Sequence, residues 1–185
     1  LGVSGPQVVE GLHGASFDKP LTRLREYIEI LRQGLRGEKI ALDGEHYVLP
    51  RPGGEGKSLR LSMPPNPDIP LYLATLGPKM LELTGEVADG WLGTSFIPEV
   101  GSLFTDHLAA GAAKSGRTLK DLDLQITATI EIGQNVEELI NRYRPRAAFT
   151  LGAMGSANTN FYNAAYSRAG YADMASEVQK LWVAG

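Results

Sequence analysis

The chain has 185 residues, of which 43% are hydrophobic and 21% are charged, an ordinary composition for a folded globular domain. Its formal net charge is -3 and no group of Lys or Arg exceeds the scatter of a solvated surface, which argues against a nucleic-acid partner. These residues include no cysteine, which excludes disulfides and thiolate chemistry, and no apolar run approaches the roughly 20 residues of a membrane span, so no membrane partner is expected.

The first predicted elements are the end of a strand, a helix and a hairpin. Residues 1–4, LGVS, are predicted to be the end of a buried strand. Apolar residues then recur at three- and four-residue spacing from 21 to 35, which predicts an amphipathic helix with Pro20 at its start and with charged side chains on its solvated face. The segment KIALDGEHYVL at 39–49 contains Asp43-Gly44, a strong signal for a two-residue hairpin turn.

Strands and helices alternate through the middle of the chain. We predict a strand at 69–74, a helix at 78–88, a strand at 90–95 and a helix from Pro98 to Ser115. This order predicts βαβ units and therefore a parallel sheet. A doubly wound sheet and a (β/α)8 barrel both have this order, and periodicity alone does not choose between them.

The last third of the chain begins with an alternating segment. LDLQITATIEI at 122–132 has apolar residues at every even position, which predicts a strand with one apolar and one polar face. Asn135, followed by Glu138, resembles a capping box that starts a helix, and Pro145 is predicted to kink or end it. Two further helical patterns lie near 159–169 and 172–183.

The sharp corner from strand to helix at ATLGPK, residues 74–79, is a candidate phosphate site. The first backbone N–H groups of a helix are unpaired and carry the positive end of its dipole, so they bind phosphate when the backbone can be approached. Gly77 has no side chain to block that approach, and Thr75 offers a hydroxyl donor. Taken alone, these residues are more simply explained as an ordinary short connection.

Five blocks in the chain resemble one known family. PLYLATLGPKMLELTGEVADGWL at 70–92 is similar to the luciferase-like monooxygenase superfamily, in its coenzyme F420-dependent oxidoreductase branch. LGVSGPQVVEG, DKPLTRLREYIEIL, DGEHYVLP and NFYNAAYSRAGY agree with it in the same order. The resemblance implies a single (β/α)8 TIM barrel, of which residues 1–185 are expected to form about strands 4 to 7. Residues 38–68 would be a hairpin and loop insertion, and residues 150–185 a helical insertion.

The resemblance also implies which residues bind the cofactor. The loop after the fourth barrel strand and the phosphate loop after the fifth correspond here to Gly2, Val3, Ser4, Gly5, Ala74, Thr75, Leu76 and Gly77. His13 and Thr129 are candidate substrate contacts. His13 follows the loop at residues 2–5, and Thr129 lies on the polar face of segment 122–132. Neither the residues nor the resemblance identifies a catalytic acid or base. No histidine has partners at metal-ligand spacing, so no metal is expected.

The favoured function is an oxidoreductase that transfers a hydride between coenzyme F420 and an unknown organic substrate. The alternatives are an FMN-dependent luciferase-like monooxygenase and a non-catalytic flavin-binding barrel protein. The expected location is the cytoplasm, and a homodimer is left open. Since the first and eighth barrel strands would be missing, the 185 residues alone are expected to be inactive and unstable.

Overall fold

The computed structural model describes residues 1–156 and 158–185. Its strands are β1 (Leu42–Asp43), β2 (Val48–Leu49), β3 (Tyr72–Leu73), β4 (Gly90–Gly93) and β5 (Asp123–Ile126). Its α-helices are α1 (Pro6–Val9), α2 (Pro20–Leu35), α3 (Pro78–Val87), α4 (Ser102–Lys114), α5 (Val136–Gly152), α6 (Phe161–Tyr166) and α7 (Ala172–Ala184). Short 3₁₀ helices lie at Pro98–Val100 and Leu119–Asp121, and a π-helical turn at Ser167–Tyr171 joins α6 to α7.

The larger sheet has three parallel strands in the order β3-β4-β5. Helix α3 connects β3 to β4 and α4 connects β4 to β5, as the alternating pattern predicts. Within the described residues the sheet does not close into a barrel, so the α/β class is confirmed and the expected barrel strands are present only in part. Strand β5 is shorter than the predicted strand 122–132. Its neighbour β4 ends at Gly93, which pairs with Ile126, and no described strand pairs with residues 127–132.

Residues 1–4 lie along the open edge of β3 without forming a strand. The amino group of Leu1 donates to the carbonyl oxygen of Tyr72 at 2.6 Å, and the Ala74 N–H donates to the Leu1 carbonyl at 2.7 Å. The prediction of a buried strand end is therefore wrong in both respects, since these residues form no strand and Leu1 is 43% exposed. The hydrogen bonds still place the loop after residue 3 beside the loop after β3.

Two apolar clusters fix the helices against the sheet. In the first, Leu24 and Ile28 of α2 pack on Leu73 of β3 and on α3. In the second, Trp91 of β4 is fully buried against Leu76 and residues of α3 and α4. Helix α2 begins with Pro20 and α3 with Pro78, as predicted from the preference of proline for the first helical turn.

Glycine allows α3 and α4 to approach closely. A Cβ atom at Gly111 of α4 would lie 1.9 Å from the carbonyl oxygen of Glu82 in α3. A Cβ atom at Gly85 of α3 would lie 2.0 Å from the carbonyl oxygen of Leu108 in α4. No real Cβ contact is this short, so the two backbones touch where each helix lacks a side chain.

The hairpin turn and one charged residue of α2 differ from expectation. Asp43 pairs with Val48, so the loop has four residues, 44–47, rather than the predicted two. The carboxylate of Glu26 accepts hydrogen bonds from the backbone N–H groups of Glu45, His46 and Tyr47 at 2.7, 3.0 and 2.9 Å. Glu26 is therefore buried in this loop and is not part of the solvated face of α2.

Helix α5 continues through Pro145 to Gly152, so of the two predicted effects of the proline, a kink or an end, the end does not occur. Proline removes only one hydrogen bond of the helix, and packing on α7 supports the C-terminal half, where Phe149 meets Trp182 edge to face. Half of the predicted capping box is present, because the Asn135 side chain accepts a hydrogen bond from the Glu138 N–H but no described hydrogen bond joins the Asn135 N–H to the Glu138 side chain. Among the described helices, none has both the length and the apolar character needed to cross a bilayer.

Candidate functional site

The corner between β3 and α3 has the backbone geometry that an anion site requires. Strand β3 ends at Leu73 and α3 begins at Pro78, with Gly77 as its N-cap at φ -78° and ψ 149°. No described residue caps this end of the helix with its side chain, and no described carbonyl accepts from the N–H groups of Gly77, Lys79 or Met80. These donors lie at the positive end of the α3 dipole and can bind an anion.

The space beside Gly77 is open. A Cβ atom built at this position would meet no described atom within 4 Å. A ligand can therefore approach the backbone here, as the sequence predicts for a phosphate group. Ala74 is exposed, Gly77 is partly exposed, and Thr75 and Leu76 are buried.

Thr75 is not the free hydroxyl donor that the sequence suggests. The Thr84 hydroxyl donates to the Met80 carbonyl oxygen at 2.8 Å, so the Thr75 hydroxyl supplies the hydrogen in the buried 2.7 Å bond between the two threonines. Its only proton is therefore committed inside the protein. Thr75 fixes the loop on α3, while the backbone of the loop remains the candidate ligand.

The two loops that the resemblance assigns to the cofactor lie next to each other. A Cβ atom at Gly2 would lie 3.3 Å from the carbonyl oxygen of Ala74.

Two serines near these loops have an unusual backbone conformation. Ser4, in the same loop as Val3 and Gly5, has φ +59°, and Ser95, just after β4, has φ +56°. Non-glycine residues rarely adopt this left-handed conformation, and such strain concentrates at functional sites.

The two candidate substrate residues are not brought to this corner by any described hydrogen bond. His13 is exposed in the turn after α1, and its backbone N–H donates to the Val8 carbonyl. Thr129 is exposed and lies beyond the end of β5, because segment 127–132 forms no strand. Their substrate roles stay predictions. The described residues include no group of His, Asp or Glu that could hold a metal ion.

Sequence reasoning missed Arg168. Its guanidinium reaches from the π-helical turn after α6 to the phosphate loop, where Nη2 donates to the Leu76 carbonyl oxygen at 2.9 Å. Burial lowers the pKa of Arg168 from its ordinary value, and no described carboxylate pairs with it. No periodicity or spacing could have found this contact, because 92 residues separate the two partners in sequence.

A cavity of about 670 Å³, widely open to the surface, lies between the loop at α1 and the loop before α6. Its lining residues include the acidic Glu10 and Asp18 and the amide-bearing Gln7 and Asn158, and no described Lys, Arg or His. Phe17, which also lines it, contacts Phe161 with ring centroids 6.1 Å apart. Phe161 packs on the core cluster that also contains Leu76 of the phosphate loop.

Comparisons with known proteins agree on one family. The sequence model of the luciferase-like monooxygenase family matches residues 1–185. A Mycobacterium tuberculosis protein, provisionally named a coenzyme F420-dependent oxidoreductase, is 39% identical over 100% of this chain and 56% of its own length. The 5,10-methylenetetrahydromethanopterin reductase of Methanolobus tindarius is 35% identical over 71% of this chain and 38% of its own length.

A solved structure is also similar. The coenzyme F420-dependent tetrahydromethanopterin reductase from Methanopyrus kandleri superposes with a TM-score of 0.60 and 25% sequence identity. The superposition covers 72% of this chain and 37% of the reductase. The chain thus spans roughly half of the first of these relatives and less of the others.

Proposed function

The chain belongs to the luciferase-like monooxygenase family, and from that membership we propose that the whole protein is a coenzyme F420-dependent oxidoreductase. The relatives named for coenzyme F420 support this cofactor over FMN. The observation in the molecule that carries the proposal is the open corner at Gly77. There, free backbone N–H groups and the positive end of α3 meet a space that a ligand can enter.

The chain's own contribution is to bind and orient the cofactor. The N–H groups at Gly77, Lys79 and Met80 would hold the phosphate of coenzyme F420, and the neighbouring loop Gly2–Gly5 would lie beside the same ligand. When bound, the deazaflavin donates or accepts a hydride. Thr75, held by Thr84, and Trp91, held in the core, keep the loop rigid, so little conformational entropy is lost when the phosphate binds.

The cavity between the loop at α1 and the loop before α6 is our proposed site for the organic substrate. Its lining residues include two acidic and two amide-bearing residues, and none of the described ones is basic. Such a lining binds neutral or cationic hydrogen-bonding groups and repels anions. We therefore assign an uncharged or cationic polar substrate to this site, rather than a sugar phosphate.

The test is a titration of the purified whole protein with coenzyme F420 and, separately, with FMN, followed by turnover assays. We expect coenzyme F420 to bind much more tightly than FMN. Reduced coenzyme F420 should then be oxidised by uncharged carbonyl or alkene acceptors, while glucose 6-phosphate should not reduce the oxidised form.

Each part of the proposal has its own contrary result. Tight FMN binding without coenzyme F420 binding would move the protein to the flavin monooxygenases. Binding of neither cofactor would refute a catalytic role that depends on them. Rapid reduction of coenzyme F420 by glucose 6-phosphate would refute the substrate class alone.

A further inference from the structure

Two successive carbonyl groups of the phosphate loop are held by side chains from distant parts of the chain. The indole Nε1 of Trp91 donates to the Thr75 carbonyl oxygen at 2.9 Å in a buried hydrogen bond. The Nη2 of Arg168 donates to the Leu76 carbonyl oxygen, also at 2.9 Å. The peptide planes on both sides of Leu76 are therefore fixed by donors outside the loop.

Fixing a carbonyl also fixes the N–H group of the same peptide. In a trans peptide the C=O and N–H bonds point in opposite directions. The Leu76 N–H therefore points away from Trp91, and the Gly77 N–H points away from Arg168. No described backbone group accepts from either N–H, and the space beside Gly77 is open.

Arg168 also changes the strength of the donor that it positions. A cation bonded to a carbonyl polarises the amide, which makes the N–H of that amide a stronger donor. Arg168 is suited to this role because no described carboxylate neutralises it. A neutral donor at the same place would orient the peptide without this polarisation.

We propose that Arg168 is a positioning residue for the cofactor's phosphate: it holds the Leu76–Gly77 peptide with its N–H directed at the anion. The inference rests on the proposed function, since it assigns a role at the same site. It gives the segment between α6 and α7 a part in cofactor binding, through one hydrogen bond to a loop 92 residues away. Trp91 does the same for the preceding peptide, but its burial in the core makes it a poor probe.

The experiment compares Arg168→Met and Arg168→Lys with the wild-type whole protein, using two ligands. One ligand is coenzyme F420, and the other is the corresponding deazaflavin riboside, which has the same ring and no phosphate. We expect Arg168→Met to weaken coenzyme F420 binding about tenfold and riboside binding less than twofold, with partial recovery in Arg168→Lys. Arg144→Met is the matched control, since Arg144 of α5 is exposed and lies outside the loop contacts.

A double variant gives a second, independent readout. Arg168→Met and Gly77→Val act on the same N–H group, so their losses of coenzyme F420 affinity should combine to less than their sum. Equal loss for both ligands, additive losses in the double variant, or unchanged coenzyme F420 affinity would each overturn the role of Arg168 alone. Failure of the wild-type protein to bind coenzyme F420 would refute the proposed function, and this inference with it.

Discussion

The Gly77→Val substitution in the whole protein tests the phosphate corner directly. Gly77 has φ -78° and ψ 149°, an extended conformation that valine adopts readily, and a Cβ atom there meets nothing within 4 Å. The substitution should therefore leave the fold unchanged. Its branched methyl groups would instead fill the space through which an anion reaches the N–H groups at the start of α3.

The expected loss follows from the hydrogen bonds that valine would obstruct. A hydrogen bond to a charged group contributes about 1.5–3 kcal/mol. Loss of one such bond weakens cofactor binding at least tenfold, since about 1.4 kcal/mol corresponds to a factor of ten. Hydrogen bonds from the other free N–H groups would persist, so binding should be weakened rather than abolished.

The assay is titration of coenzyme F420 into wild type and variant, with thermal unfolding of both as a check on the fold. Gly56→Val is the matched control, because Gly56 also has open space around its Cβ position but lies in the loop between β2 and β3. A folded Gly77→Val protein that binds coenzyme F420 as tightly as wild type would show that the phosphate does not bind at this corner.

Two predictions concern stability of the whole protein, measured by chemical denaturation. Burial raises the pKa of the Glu26 carboxyl, but three backbone N–H groups and His46 lower it more, so the pKa lies below its ordinary value. Glu26 therefore stabilises the fold above the ordinary carboxyl pKa of about 4.3 and loses this effect as pH falls through its folded pKa. Glu26→Gln should lower the free energy of unfolding by about 1.5–3 kcal/mol at pH 7 and by progressively less in acid. Glu29→Gln should lower it little, because the described donors to the Glu29 carboxylate are exposed side chains. An equal loss for Glu26→Gln at pH 3 and pH 7 would contradict this. Gly111→Ala should destabilise by about 1–3 kcal/mol or more, because its Cβ would overlap the Glu82 carbonyl, and an unchanged midpoint would contradict the close helix contact.

Local signals in the sequence predicted the helices well and the strands less well. Pro20 and Pro78 mark helix starts through their own fixed φ, so α2 and α3 begin where predicted. A strand forms only where a neighbouring strand pairs with it. The alternation of apolar and polar residues in one segment does not show where that neighbouring strand ends. Segment 122–132 therefore pairs only as far as Ile126, opposite the last residue of β4.

The sequence by itself determined the alternating α/β order and the open, glycine-containing corner at Gly77. Both depend on side-chain periodicity and backbone preference over a few residues. Only the tertiary structure decided what the polar groups around that corner do. The Thr75 hydroxyl bonds to Thr84, the Glu26 carboxylate enters a hairpin loop, and Arg168 reaches the Leu76 carbonyl. A polar group takes whichever partner the packed chain brings within about 3 Å of it, and distance along the sequence does not encode that choice.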